Sequence, residues 1–152
     1  MTQYSLLPHQ IADAAFLAAR KFAGNFSGMG SGKTLTALEA MRLVAVADGT
    51  KFDSRPHLII APPIAIRMWI QVAAEYLNVD AQHPKTGKTK IDPAAVVYIM
   101  SYEIATRRRG ELVALAPRVL ICDESHAMKN IKAKRTKAIL GRGGITSGAD
   151  VT

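Results

Sequence analysis

The segment that most limits the possible folds is a glycine-rich stretch at residues 27–34, Ser-Gly-Met-Gly-Ser-Gly-Lys-Thr. It follows a short apolar run and precedes a sequence with helical periodicity, which is the context of a phosphate-binding loop. Glycines allow backbone N–H groups to approach a phosphate without interference from a Cβ atom. The helix that begins near Lys33 would direct its free N–H groups and the positive end of its dipole toward the same anion. The alternative is a glycine-rich turn before an ordinary helix.

In a phosphate loop of this kind, Lys33 reaches the β- and γ-phosphates of a nucleotide and the Thr34 hydroxyl ligates Mg²⁺. The stretch therefore predicts a nucleoside triphosphate and Mg²⁺ as cofactors. The residues predicted to bind the phosphates are Gly28, Met29, Gly30, Ser31, Gly32, Lys33 and Thr34.

Short apolar runs alternate with helical patterns along the chain. Each run is apolar at every position, as in parallel strands that helices cover on both faces. This alternation predicts an α/β fold, a doubly wound, mostly parallel sheet with helices on both faces. The predicted strands are 22–26, 57–61, 96–100 and 119–122, and the predicted helices are 10–20, 33–46, 65–77, 103–115 and 133–140.

Two segments are predicted as loops: residues 80–92, which are polar and basic, and residues 141–148, where four glycines predict a frayed end. Trp69 shares a helical face with apolar residues, which favours a place in the core over base stacking. Three successive arginines at 107–109 are interpreted as a solvated helix face.

The positive charge of the chain is concentrated in its second half. The whole sequence carries +8, of which residues 1–82 contribute +1 and residues 83–152 contribute +7. This asymmetry favours a polyanionic partner, most simply nucleic acid, and the alternative is a solvated basic surface. The single cysteine, Cys122, excludes a disulfide framework. No signal peptide or membrane-spanning run is evident, so we expect a soluble protein that works in the cytoplasm.

Two adjacent carboxylates follow the apolar run 119–122. Ligands of doubly wound sheets bind at the carboxyl ends of the strands, so Asp123 is placed to meet the metal held by Thr34. Glu124 is placed to orient or deprotonate the attacking water, and His126 to link the nucleotide site to a second surface. Alternatively, the two acids cap the next helix. The candidate catalytic residues are Lys33, Asp123, Glu124 and His126.

Together these motifs resemble the first RecA-like lobe of superfamily-two helicase-like ATPases, in the Swi/Snf-related branch of DNA translocases. The resemblance runs in order along nearly the whole chain, and its later part includes Asp-Glu-Ser-His-Ala-Met-Lys-Asn at residues 123–130. Its other segments are Leu-Pro-His-Gln at 7–10, the phosphate loop, residues 58–63 with Trp69 and Glu75, residues 99–103 and residues 134–138.

The resemblance implies ATP hydrolysis coupled to movement along duplex DNA, with ATP and Mg²⁺ as cofactors. Gln10 matches the glutamine that contacts adenine in this family. Phosphate contacts carry affinity rather than sequence information, so we expect little sequence specificity. The residues implied to contact nucleic acid are Pro63, Arg67, Ser101, Tyr102, Lys129 and Asn130.

The chain departs from the family pattern in three ways. Ser27 replaces a glycine, which helicase-like ATPases tolerate, and Ala149-Asp150 replace the Thr-Pro of a later motif. The second lobe, which supplies an arginine finger, is absent from residues 1–152. We therefore expect a helicase ATP-binding lobe, incomplete at its C-terminal end and nearly inactive alone, which finds a second lobe in cis or in trans. The alternative is a nucleotide- or DNA-binding module without turnover. In either case we expect a bacterial or phage origin.

Overall fold

A computed structural model describes residues 4–25, 32–47 and 49–148. Within them a parallel sheet forms from β1 (His57–Ile60), β2 (Val97–Met100) and β3 (Val119–Cys122). The strand order is β2-β1-β3, so β1 is the central strand of this sheet. The described α-helices are α1 (Pro8–Ala18), α2 (Lys33–Val46), α3 (Pro63–Leu77), α4 (Tyr102–Arg107), α5 (Arg109–Leu115) and α6 (Lys134–Leu140).

Alternate residues of β1 face two separate apolar layers. Leu58 and Ile60 pack with residues of α4, α5 and α6, whereas Ile59 packs with Leu38 and Met41 of α2 and with residues of α3. Helices therefore cover both faces of the sheet, which confirms the predicted doubly wound α/β fold. No helix among the described residues has both the length and the apolar character needed to cross a bilayer.

Two predicted elements are wrong. Residues 22–25 form no strand, because Gly24 and Asn25 disfavour extended pairing and Phe22 remains 61% exposed. Residue 26, the last of that predicted strand, lies outside the described residues. The predicted helix at 103–115 is broken at Arg108, whose φ of −100° and ψ of 18° depart from helical values.

The break in that helix turns Arg108 inward. Its side chain is 5% exposed, and its guanidinium donates to the carbonyl oxygens of Gly87 and Thr89. The three successive arginines are therefore not one solvated face, since Arg108 anchors the loop at residues 80–92.

The glycine-rich tail is folded through residue 148 rather than frayed. Ile145 is fully buried in the core, and Thr146 Oγ1 donates to the Ile139 carbonyl oxygen over 2.9 Å. A side chain on Gly141 would collide with the carbonyl oxygen of Lys137. Glycine at this position therefore lets the chain leave α6 sharply and return to the core.

His57 is a fully buried titratable group at the start of β1. Its ring stacks on Phe52 with centroids 4.7 Å apart, and its Nε2 lies 3.1 Å from the Phe52 carbonyl oxygen. Burial is the main cause that lowers the pKa of His57 to about 4; the nearby Arg118 and Arg55 act in the same direction, and the hydrogen bond to Phe52 opposes them. The unfolded chain therefore binds a proton more readily than the folded chain between pH 6.5 and about 4.

We expect the free energy of unfolding to fall by roughly 2 kcal/mol between pH 7 and pH 4.5 because of His57. Urea titrations at the two pH values measure this difference. His57→Leu should remove most of the dependence, while His9→Gln, which removes an exposed histidine, should retain it. An equal pH dependence in wild type and His57→Leu would contradict the assignment.

Candidate functional site

The first residue of α2 and the last residue of β3 lie at the same end of the sheet. At the opposite end, Arg118, which precedes β3, donates from Nη1 to the Ala45 carbonyl oxygen near the end of α2, over 3.0 Å. Since α2 packs on β3, the helix runs antiparallel to the strand. Lys33 therefore lies toward the carboxyl end of β3, where Asp123 follows. That end of a doubly wound sheet is where ligands bind.

The start of α2 has a backbone suited to an anion. Gly32 is in the left-handed conformation at φ 73° and ψ 38°, which glycine adopts without strain. Lys33 is exposed, Thr34 is half-buried, and the first turn of α2 contains no acidic residue. The helix therefore combines free N–H groups with a cationic side chain. The other predicted phosphate-binding residues, Gly28, Met29, Gly30 and Ser31, lie outside the described residues.

Gln10 of α1 lies against this helix start. It is 6% exposed, and its Oε1 accepts a hydrogen bond of 2.8 Å from the Leu7 backbone N–H. A Cβ atom on Gly32 would overlap Gln10 Nε2, so a larger residue there would displace the end of the Gln10 side chain. The structure thus brings together the predicted adenine contact and the last glycine of the predicted phosphate loop.

Asp123 is held at three points just beyond β3. Its backbone N–H donates to the Ile60 carbonyl oxygen over 2.8 Å, which extends the pairing with β1 by one residue. Its own carbonyl oxygen accepts from the Tyr102 hydroxyl over 2.6 Å. Its Oδ2 accepts from Trp69 Nε1 over 2.9 Å. The half-buried carboxylate therefore has a defined position at the ligand-binding end of the sheet.

Trp69 confirms one expectation and adds a contact that sequence reasoning missed. It is 2% exposed, as expected for a core residue. The sequence indicates only that a buried indole N–H needs an acceptor, and it does not identify Asp123 as that acceptor. A second contact that sequence reasoning missed joins α3 to α2. The Tyr76 hydroxyl of α3 donates to Glu39 Oε2 of α2 over 2.7 Å. Arg42, which bonds to the same carboxylate, is the main cause of the lowered pKa of Glu39.

Glu124 and His126 lie next to Asp123 on the surface. Glu124 adopts φ 53°, a conformation that costs a non-glycine residue free energy. Its Oε2 lies 2.9 Å from His126 Nδ1, and both side chains are more than half exposed. Glu124 precedes the 3₁₀ turn Ser125–Met128 without a side-chain capping bond. Glu124 therefore occupies the N-cap position of this turn but does not make the side-chain capping bond that the alternative interpretation predicts.

The segments implied to contact nucleic acid follow the carboxyl ends of β1, β2 and β3. Because these strands are parallel, the segments lie at the same end of the sheet. Pro63, Arg67, Lys129 and Asn130 are exposed there. Ser101 is half-buried and caps α4, since its Oγ accepts from the Ile104 N–H over 3.2 Å.

Tyr102 differs from the other predicted contacts. It is 4% exposed, and its hydroxyl is bonded to Asp123. Its side chain therefore does not offer the surface that a contact with a nucleic-acid phosphate needs.

The basic second half of the chain is partly structural. Arg108 and Arg118 are buried and donate to backbone carbonyl oxygens. Other cations remain at the surface, and four of them line an open cleft beside α6: Arg109, Lys134, Lys137 and Arg142. Some of the basic residues therefore stabilise the fold, and others form a positive surface.

The described residues contain no cluster of three or more His, Cys, Asp or Glu side chains that could hold a metal ion. Thr34 and Asp123 offer one hydroxyl and one carboxylate. This small set of oxygen donors fits Mg²⁺, which usually keeps several waters and takes further ligands from nucleotide phosphates.

Comparison with known protein families shows to which family this chain belongs. The family model of the SNF2-related domain matches residues 9–141. The chain belongs to the SNF2-related family. Its fold is also that of a structure determined for the Sulfolobus solfataricus SWI2/SNF2 ATPase core in complex with dsDNA, with a TM-score of 0.72 over 90% of this chain at 19% identity. The predicted RecA-like fold is thereby confirmed.

Three curated relatives are eukaryotic proteins. The chain is 29% identical to the DNA repair and recombination protein RAD54B of Gallus gallus over 89% of its length. It is 31% identical to the TATA-binding protein-associated factor mot1 of Schizosaccharomyces pombe over 73% of its length, and 26% identical to the helicase swr1 of Emericella nidulans over 74%.

The chain spans only a small part of each relative: 17% of RAD54B, 6% of mot1, 7% of swr1 and 29% of the Sulfolobus chain. Because these curated relatives are eukaryotic, they lend no support to the expected bacterial or phage origin.

Proposed function

We propose that this SNF2-family chain is the ATP-binding lobe of an ATP-dependent DNA translocase or helicase-like remodeller. The observation that carries the proposal is the antiparallel course of α2 along β3, because it brings Lys33 and Asp123 to one end of the sheet. The burial of Gln10 against Gly32 supports an adenine site beside the predicted phosphate loop.

Each residue then has a distinct role in ATP hydrolysis. The ammonium of Lys33 and the N–H groups at the start of α2 bind the phosphates. Thr34 and Asp123 hold Mg²⁺, which when bound would neutralise charge on the phosphate oxygens. Glu124 orients the attacking water and accepts its proton. His126 holds the Glu124 carboxylate from its exposed side, through the contact of 2.9 Å.

Duplex DNA is the proposed polyanionic partner. Pro63, Arg67, Ser101, Lys129 and Asn130 would contact its backbone, and the Sulfolobus structure of the same fold was determined with dsDNA. Because such contacts are electrostatic, binding should depend on salt more than on sequence.

A second RecA-like lobe, in cis or in trans, would complete the enzyme. In phosphoryl-transfer enzymes an arginine finger accounts for roughly 10³- to 10⁵-fold in rate. We therefore propose that this chain alone binds Mg-ATP and hydrolyses it slowly.

Replacement of Lys129 by alanine tests the DNA-binding role. The slope of log affinity against log salt concentration should become shallower by about one unit, because one phosphate contact is lost. Fluorescence anisotropy of a labelled duplex at several KCl concentrations measures the slope. Lys51→Ala is a matched control, since Lys51 is exposed near the amino end of β1. A flat salt response in the wild type, or an equal change in the control, would contradict the proposal.

A further inference from the structure

Trp69 has a polar contact that packing alone does not require. It is the single tryptophan of the chain, and it lies in an apolar cluster formed by α2, α3 and the sheet. Its indole N–H can only donate a hydrogen bond, and a buried donor of this kind needs an acceptor. The acceptor is Asp123 Oδ2, at 2.9 Å, which belongs to a residue 54 positions further along the chain.

Tyr102 approaches Asp123 from the opposite face of the sheet. It belongs to the other apolar cluster, and its hydroxyl donates to the Asp123 carbonyl oxygen over 2.6 Å. Asp123 is thus tied to one helix on each side of the sheet.

The bond from Trp69 occupies one of the two carboxylate oxygens. No donor among the described residues contacts Asp123 Oδ1. The carboxylate is therefore oriented with one oxygen held by α3 and the other available to a metal or to its water. Residues that orient a metal ligand in this way commonly set the metal affinity.

Helix α3 also connects this contact to the surface. Arg67 is exposed, and Trp69, two residues later, is buried. Residues two apart in a helix lie on nearly opposite sides, so the proposed DNA contact and the bond to Asp123 are on opposite sides of one rigid element. A displacement of α3 would therefore move the carboxylate.

We infer that Trp69 is a positioning residue for the Asp123 carboxylate, with Tyr102 as a second anchor, and that these two bonds couple the magnesium ligand to the helices α3 and α4. The inference rests on the proposed function, since it assigns Asp123 to the metal.

Trp69→Phe removes the N–H donor and keeps an aromatic ring in the core. Binding of a fluorescent ADP analogue, followed by anisotropy with direct excitation of the label, should show a rise of about tenfold in the Mg²⁺ concentration for half-saturation. The affinity in EDTA should be unchanged, because the phosphate contacts of α2 are intact. Tyr102→Phe should change the Mg²⁺ dependence in the same direction.

Tyr76→Phe is the matched control. Tyr76 lies on the same helix and donates to a carboxylate over 2.7 Å, but that carboxylate belongs to Glu39. This variant should keep the wild-type Mg²⁺ dependence. The inference is overturned if Trp69→Phe also keeps it, or if that variant loses affinity equally with and without Mg²⁺. A wild-type chain whose nucleotide binding does not depend on Mg²⁺ would refute the proposed function and this role of Trp69 with it.

The fluorescence of Trp69 gives a second readout. Because the indole bonds to the proposed metal ligand, its emission should change when Mg²⁺ is added to the wild-type protein already saturated with ADP in EDTA. Asp123→Asn should abolish this response. If Mg²⁺ raises the nucleotide affinity but leaves the emission spectrum unchanged, the proposed contact between Trp69 and the metal ligand Asp123 is contradicted.

Discussion

The Lys33→Ala variant is expected to bind Mg-ATP roughly 10- to 100-fold more weakly than the wild type. The loss reflects a charge-assisted contact with the phosphates, of the kind that contributes about 1.5–3 kcal/mol. Lys33 is exposed at the start of α2, so its removal leaves no cavity and should not affect folding. Isothermal titration calorimetry with Mg-ATP measures the affinity.

Lys51→Ala again provides the control for loss of an exposed lysine. Its affinity for Mg-ATP should equal that of the wild type. If the Lys33→Ala variant binds Mg-ATP as tightly as both, the start of α2 is not a phosphate site and the glycine-rich turn is only a connection.

The Glu124→Gln variant should lose roughly 10²- to 10⁴-fold in the rate of ATP hydrolysis, the range expected for removal of a general base. Its affinity for Mg-ATP should stay near that of the wild type, because the amide preserves the shape of the side chain and Glu124 is not assigned to the phosphates. The separation of rate from affinity distinguishes it from Lys33→Ala.

Single-turnover hydrolysis, with protein in excess over labelled ATP and duplex DNA present, resolves the slow rate expected of this lobe. Hydrolysis that neither Glu124→Gln nor Lys33→Ala reduces would remove the enzymatic role. The chain would then be a nucleotide- or DNA-binding module without turnover.

Features encoded in local pattern were predictable from the sequence. The bounds of α2 and β3 agree with the prediction, since β3 is a short run that is apolar at every position and α2 is a long run of helix-forming residues directly after the glycine-rich stretch. The order of the motifs also placed Asp123 at the carboxyl end of its strand.

Contacts between distant segments were not predictable. The acceptor for Trp69 lies 54 residues away, and the sequence alone shows only that an acceptor is needed. The inward turn of Arg108 depends on carbonyl groups of a loop that carries no strong pattern. The packing of Ile145 depends on a sharp turn at Gly141, where composition alone indicated a frayed end. For Arg108 and Ile145, tertiary contact overrides the local preference.

A crystal structure with Mg²⁺ and a non-hydrolysable ATP analogue tests the central claim most directly. It should show the β- and γ-phosphates against the N–H groups of Lys33 and Thr34, with the metal between the Thr34 hydroxyl and the Asp123 carboxylate. An analogue bound elsewhere, or a metal remote from Asp123, would contradict the proposed site.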